Sequence, residues 1–227
     1  ALTNDLLLFA DDDGEDGTIV CSEVAIWEVA LTDTEVLDLG SSPANRLPEK
    51  AGMWRFDDAS DLMKADIGTD LIQHGNVSSM ITPEYNSGAV IVPSGSYLEM
   101  LHGIFGNGDG FMVNEYTLQI DFMIPEADAW HCFMQTDPNN TGDGDLFTNA
   151  SNKIGTQATS YTSNTIEANK WYRMVVVVKN GSYFKIFIDG EIWLGSGGQT
   201  VDGRYALAES LLMFADDDGE DGTIYCS

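Results

Sequence analysis

"ANKWYRMVVVVKNGSYFKIFIDGEIW", residues 168–193, decides the fold. Its first half, "KWYRMVVVVK" (170–179), is long and rich in β-branched residues, which predicts a strand buried on both faces. Its second half opens "YFKIFIDGEIWL" (183–194), which predicts a hairpin turning at Asp189-Gly190, the dipeptide that favours a type I′ turn. Further out, "YTLQIDFMIP" (116–125) alternates with period two. Leu118, Ile120, Phe122 and Ile124 share one face, and Gln119, Asp121 and Met123 the other. "MWRF" (53–56), two segments of "GAVIVPSGSYLEM" (88–100), "WHCFMQT" (130–136) and "SLLMFAD" (210–216) read as further strands. Strands parted by turn clusters, with almost no helical periodicity, predict an all-β sandwich.

The totals narrow the partners. The 227 residues carry 37 acidic and 10 basic side chains, a formal charge of −27. The acidic balance argues against nucleic acid as a partner, because phosphate binding needs Lys and Arg to release counterions. It argues equally against anionic membrane surfaces, and no apolar run reaches the roughly 20 residues that span a bilayer. Such acidity fits an extracellular or cell-surface protein, or one that binds cations. Cys21, Cys132 and Cys226 form neither a disulfide framework nor a zinc pattern, and read first as small buried thiols, with a bridge from Cys132 to either of the others left open. The chain opens on Ala1 rather than Met, with no signal peptide, which suggests a trimmed or partial chain.

A duplication organises the chain. "LLLFADDDGEDGTIVCS" (6–22) returns as "LLMFADDDGEDGTIYCS" (211–227), with fifteen of seventeen positions identical and an offset of 205. Solenoid repeats are roughly 20–50 residues long, so this period is that of a whole domain. "EVAIWEVALTDTEVLDLG" (23–40) opens as a strand, with Val24, Ile26 and Trp27 on its apolar side. It continues as a short helix with Thr32 as N-cap, Glu35 at the capping-box position and Gly40 as stop. "SSPANRLP" (41–48) reads as a linker. The expected division is residues 1–40 as the end of one unit, 41–48 as linker, and 49–227 as a sandwich without its own closing strand.

These residues carry a resemblance. The stretch 168–193, a Trp-led strand followed by an aromatic-rich strand ending in Asp-Gly, resembles the core hairpin of laminin G-like domains in the concanavalin A-like lectin/glucanase superfamily. "GTIVCSEVAIWEVALTDTEVLDLG" (17–40) resembles that family's closing strand and small terminal helix. The resemblance implies a jelly roll of two antiparallel sheets. It does not choose among lectins, adhesion modules and glycoside hydrolases, since one fold hosts many functions.

Glycoside hydrolysis usually needs two carboxylates flanking the bond. The superfamily's glucanases carry them as Glu-x-Asp-x-x-Glu on one strand, and no such run occurs here. Asp121, Glu126 and Asp128 are wrongly spaced and interrupted by Pro125. His74, His102 and His131 stand alone, without a nucleophile elbow, and read as structural. The chain is therefore expected to be no enzyme.

Calcium is the expected cofactor, because hard cations want several oxygens from a tight, glycine-containing loop. "DPNNTGDGD" (137–145) sets Asp137, Asn139, Thr141, Asp143 and Asp145 at alternating places, with Gly142 at the sixth. It departs from an EF-hand loop at place twelve, Thr148, and in lacking flanking helices. The duplicated "ADDDGEDG" is the second candidate. It offers Asp11, Asp13, Glu15 and Asp16 in one copy and Asp216, Asp218, Glu220 and Asp221 in the other. Sugar binding would use exposed aromatics beside polar groups. Trp130, Trp193, Tyr161 and Tyr205 are eligible, while Trp54 and Trp171 read as core.

The duplication points first to a non-catalytic structural or adhesive repeat that assembles head-to-tail with copies of itself, in a tandem array or by donation of residues 1–40. The alternative is a calcium-dependent, lectin-like module that binds glycans. A glycoside hydrolase stands last, lacking its acids.

Overall fold

The computed structural model describes residues 6–8, 19–39, 49–82, 87–218 and 222–227. The linker 41–48, the expected stop at Gly40, the ligands Asp11, Asp13, Glu15 and Asp16, and Glu220 and Asp221 lie outside the described residues.

In chain order the elements are β1 (Leu6–Leu8), β2 (Ile19–Trp27), α1 (Asp33–Leu39), β3 (Lys50–Trp54), β4 (Ile72–His74), β5 (Ser78–Thr82), β6 (Ser87–Val92), β7 (Tyr97–Met100) and β8 (Glu115–Met123). There follow β9 (His131–Met134), β10 (Leu146–Thr148), β11 (Ile154–Thr156), β12 (Ser160–Tyr161), β13 (Tyr172–Lys179), β14 (Tyr183–Ile188), β15 (Glu191–Gly197), β16 (Leu211–Met213) and β17 (Ile224–Cys226). Every pairing between these strands is antiparallel.

The larger sheet runs β15-β14-β13-β8 and then divides. The Phe122–Met123 end of β8 pairs with β17, and its Thr117–Ile120 end pairs with residues 24–27 of β2. The outer neighbours there are β6 and β3. The second layer joins β4-β7-β16 to β9-β10-β11-β12 through backbone bonds between Leu212 and Gln135, 2.7 and 2.9 Å. One apolar cluster fills the space between the layers. It takes Leu118, Ile120 and Phe122 from β8, Met174, Val176 and Val178 from β13, Leu98 and Met100 from β7, Phe133 and Met134 from β9, and Leu211 and Met213 from β16. This is the β sandwich expected from period-two alternation.

The deciding hairpin forms as read. Asp189 and Gly190 have φ of 50° and 83°, the two positive angles a type I′ turn requires. β13 is buried on both faces: Val175 and Val177 pack away from the common core, into a second cluster with Ala25, Trp27, Leu31, Val36, Leu39 and Phe187. That cluster corrects one expectation. Trp27 does not share the side of Val24 and Ile26; alternation along β2 puts it with Ala25, under α1.

Residues 24–39 dock on the body formed by residues 49–227. The helix starts with the capping box: Thr32 N–H donates to Glu35 Oε2 (2.7 Å), and Glu35 N–H donates to Thr32 Oγ1 (3.3 Å). Bonds from Thr32 lower the Glu35 pKa. At the other end, Arg173 Nη1 donates to Leu39 O (2.9 Å), while its Nε and Nη2 hold Asp121 in a two-point pair at 2.7 and 2.6 Å. Leu31 N–H donates to Thr117 Oγ1. Within the single chain described, residues 24–39 pack on that chain's own body.

Candidate functional site

The two acidic stretches that the sequence presents separately meet in space. Gly144 N–H donates to Asp216 Oδ1 at 2.8 Å, which ties the loop 137–145 to the segment after β16. Asp143, Asp217 and Asp218 then bring carboxylate oxygens within 4.8 Å of one another, with Asp143 and Asp218 exposed. Glycine is needed at 144, because a Cβ would run into Cys132 Sγ and would stand only 2.7 Å from Phe147 Cζ. Phe214 has φ of 66°, a left-handed conformation that bulky residues rarely adopt, and it turns the chain into this segment.

The remaining expected ligands are occupied otherwise. Asp137 accepts from Asn139 N–H, Thr141 N–H and the Thr141 hydroxyl, so its carboxylate closes its own turn. Asp145 pairs with Arg204 Nε at 2.9 Å and accepts from Thr136 N–H. Of Asp137, Asn139, Thr141, Asp143 and Asp145, only Asp143 joins the carboxylate group. Of Asp216 and Asp218, only Asp218 does; Asp216 points inward to Gly144 and is fully buried. Burial pushes the Asp216 pKa up to about 7 against the lowering effect of the Gly144 N–H, and burial raises Asp217 too. Asp217, between the two residues that alternation singles out, is the candidate ligand that sequence reasoning misses.

Beside this group lies a cleft of about 140 Å³, lined by Trp130, Asp143, Gly144, Phe147, Thr156, Gln157, Tyr161 and Arg204. The Trp130 ring meets Phe147 edge-on at 5.8 Å and Tyr161 at 6.3 Å. Phe147, Gly155 and Tyr161 are opposite one another across β10, β11 and β12, so no side chain stands between the two rings. A Cβ at Gly155, φ 147°, would run into Ser160 O. Arg204 brings a cation whose charge Asp145 balances, and Asp143 belongs to both the cleft and the carboxylate group.

Of the four eligible aromatics, two stand here. Tyr205 is fully buried, stacked on Phe184 at 4.5 Å, with its hydroxyl bonded to Thr156 Oγ1 at 2.8 Å. Trp193 lies elsewhere, against Tyr172. Trp54 is core, as expected, and Trp171 is half-buried. Cys132 is a buried free thiol, whereas Cys226 is disulfide-bonded, which corrects its reading as a thiol.

The histidines keep structural roles. His102 Nε2–H donates to Ala208 O (2.9 Å) and its bare Nδ1 accepts from Ile104 N–H (3.0 Å), which fixes the neutral tautomer. Burial lowers its pKa to about 4, and that of His131 equally. His74 pairs with Glu99 at 2.9 Å and stacks on Tyr97. Asp121, the first of the acids weighed for hydrolysis, is held by Arg173. Among the described residues, no helix is long and apolar enough to cross a membrane.

No family model matches the sequence. No curated protein matches it either. Among solved structures it is similar to the carbohydrate-binding module CBM66 from Bacillus subtilis, at 15% identity over 68% of this chain and 90% of that one, TM-score 0.36. It is also similar to the receptor-binding domain of botulinum neurotoxin mosaic serotype C/D, at 13% identity over 70% of this chain and 42% of that one, TM-score 0.41. A candidate carbohydrate-binding protein from Bacteroides ovatus ATCC 8483 is 11% identical over 82% of this chain and 62% of that one, TM-score 0.32. The assignment of a β sandwich rests on the strand pairing above.

Proposed function

We propose that this protein is a non-catalytic, extracellular carbohydrate-binding module whose sugar site is the cleft between Trp130 and Tyr161. The observation that carries this reading is the joining of aromatic walls to polar groups in one recess. Trp130 and Tyr161 offer apolar faces for the C–H side of a sugar ring over the buried Phe147, and Gln157, Arg204 and Asp143 offer partners for its hydroxyls. The cleft's small volume favours one ring, and so a chain end, over a long polysaccharide.

Calcium is the cofactor that suits the adjoining group. Asp143, Asp217 and Asp218 would supply hard oxygens, and water, backbone oxygens or sugar hydroxyls would complete the shell. Through Asp143 the ion would touch the sugar subsite, which makes binding chelator-sensitive.

The test is a glycan array followed by titration calorimetry, with calcium and with EDTA. Binding that weakens at least tenfold in EDTA, and is lost in Asp217→Asn, supports the whole reading. Binding indifferent to EDTA removes calcium and leaves the sugar site. No binding to any glycan, with the fold intact, rejects the module.

A further inference from the structure

The two copies of the duplicated segment claim one and the same place. β1 pairs with β7 as Leu6↔Met100, Leu7↔Glu99 and Leu8↔Leu98, and β16 pairs with β7 as Leu211↔Met100, Leu212↔Glu99 and Met213↔Leu98. The pattern repeats in the other sheet. Residues 19–21 of β2 face Val92, Ile91 and Val90, and so do Ile224, Tyr225 and Cys226 of β17. Val20 and Cys21 face Met123 and Phe122, and so do Tyr225 and Cys226.

A strand has two hydrogen-bonding edges, and the opposite edges are taken. β7 has β4 on its other side, β6 has β5, and β8 has β13. One edge therefore remains at each place for two claimants, and each register holds one copy at a time. The claimants differ at two positions, Leu8 against Met213, an apolar change, and Val20 against Tyr225, which adds a ring and a hydroxyl at a half-buried place. The other fifteen positions give the slot no means of choosing between them.

We propose that this slot is an exchange site for a second copy of the same chain. Residues 6–8 and 19–39 of one molecule enter the sandwich of another, the latter as one piece, since β2 runs unbroken from Ile19 to Trp27 and leads into α1. The arriving residues 6–8 and 19–21 displace Leu211–Met213 and Ile224–Cys226. The arriving strand and helix take the bonds with Thr117, Arg173 and Lys185 that hold residues 24–39 within one chain. The bonds formed between two chains are the same in kind as those broken within one, so chain concentration sets the balance between monomer and exchanged oligomer. Reciprocal exchange closes a two-fold dimer and one-way donation runs on head-to-tail, and the measured mass tells the two apart.

The experiment uses the full chain, refolded from denaturant at micromolar and at millimolar concentration, with mass read by light scattering. Dithiothreitol is present throughout, so that no disulfide at Cys226 holds either copy in place. A second sample mixes two fluorescently labelled populations before refolding. The expected result is mass above the monomer that rises with concentration, with both labels in one particle. The Leu7→Pro/Val20→Pro variant removes the ladder donors of the N-terminal copy only. It is expected to fold as a monomer at every concentration, because Leu211–Cys226 fill the slot. Circular dichroism checks that fold. A wild-type chain that stays monomeric throughout overturns the proposal, and so does a folded proline variant that oligomerises as the wild type does.

Discussion

The outer face of the larger sheet and the cleft side of the smaller one are built to opposite rules. Under α1, apolar residues are sealed: Trp27, Val175, Val177 and Phe187 are covered by Leu31, Val36 and Leu39, and the nearby charges Asp121 and Arg173 pair with each other. Around the cleft, the Trp130 and Tyr161 rings stay half-open and three carboxylates crowd together. Where a sheet face is fully clad, a side chain contributes to stability. Where it is left open at a net energetic disadvantage, it is available for a ligand. Substitutions on the clad side should therefore move the unfolding transition, and those at the cleft should move affinity.

The sharpest way to break this contrast is Trp27→Ala. Emptying so large a buried site is expected to cost about 3–5 kcal/mol, read as a lower denaturant midpoint with an unchanged slope. Glycan affinity per folded molecule should not change. Arg173→Ala comes next. It strands Asp121 and uncaps Leu39, and the partial exposure of Arg173 holds the expected loss to about 2–4 kcal/mol. A loss within experimental error would mean that packing and the bonds to Thr117 and Lys185 hold the segment 24–39 without Arg173.

Acid should act on stability too. Protonating His102 puts a charge in an apolar site and takes from Ile104 N–H its acceptor. The folded pKa is about 4, below the value near 6.5 of an unfolded chain, so the unfolded state binds more protons between the two. Stability is then expected to fall as pH drops from about 6.5 to about 4. In His102→Gln the slope of unfolding free energy against pH should be shallower, because the remaining His131 is opposed by Asp216, whose raised pKa makes the folded state bind the extra proton over the same range. An unchanged slope would assign the whole effect to other groups.

The smallest expected effect on folding is the largest on binding. Trp130→Ala should weaken glycan binding roughly tenfold or more, about 1.4 kcal/mol, and leave the unfolding midpoint nearly where it was. If the midpoint falls as it does for Trp27→Ala, Trp130 belongs to the core and the contrast between the two faces fails.

Much of the scaffold was legible because it depends on neighbours in sequence. The type I′ turn at Asp189-Gly190, the Thr32–Glu35 capping box and the burial of both faces of β13, Met174 and Val176 on one and Val175 and Val177 on the other, all follow from spacings of a few residues. The site was legible only in parts. Trp130 and Tyr161 could be named as open aromatics and Asp143 and Asp218 as acids, yet nothing local shows that they share one recess. Arg204 carried a faint signal, as one of 10 basic residues among 37 acids. Asp217 carried none beyond its run, since alternation holds for a strand and fails after Phe214 turns the backbone.

By itself, the sequence determined the sandwich, its main hairpin, its short capped helix and the duplication of one segment. Those depend on periodicity, turn chemistry and identity, which are properties of the chain read in order. Tertiary structure alone decided that Gly144 meets Asp216, that Tyr205 is core while Tyr161 is open, and that both copies read onto the same strand edges. Such facts depend on which residues far apart in sequence come to share one edge or one cavity, and no local pattern encodes that pairing.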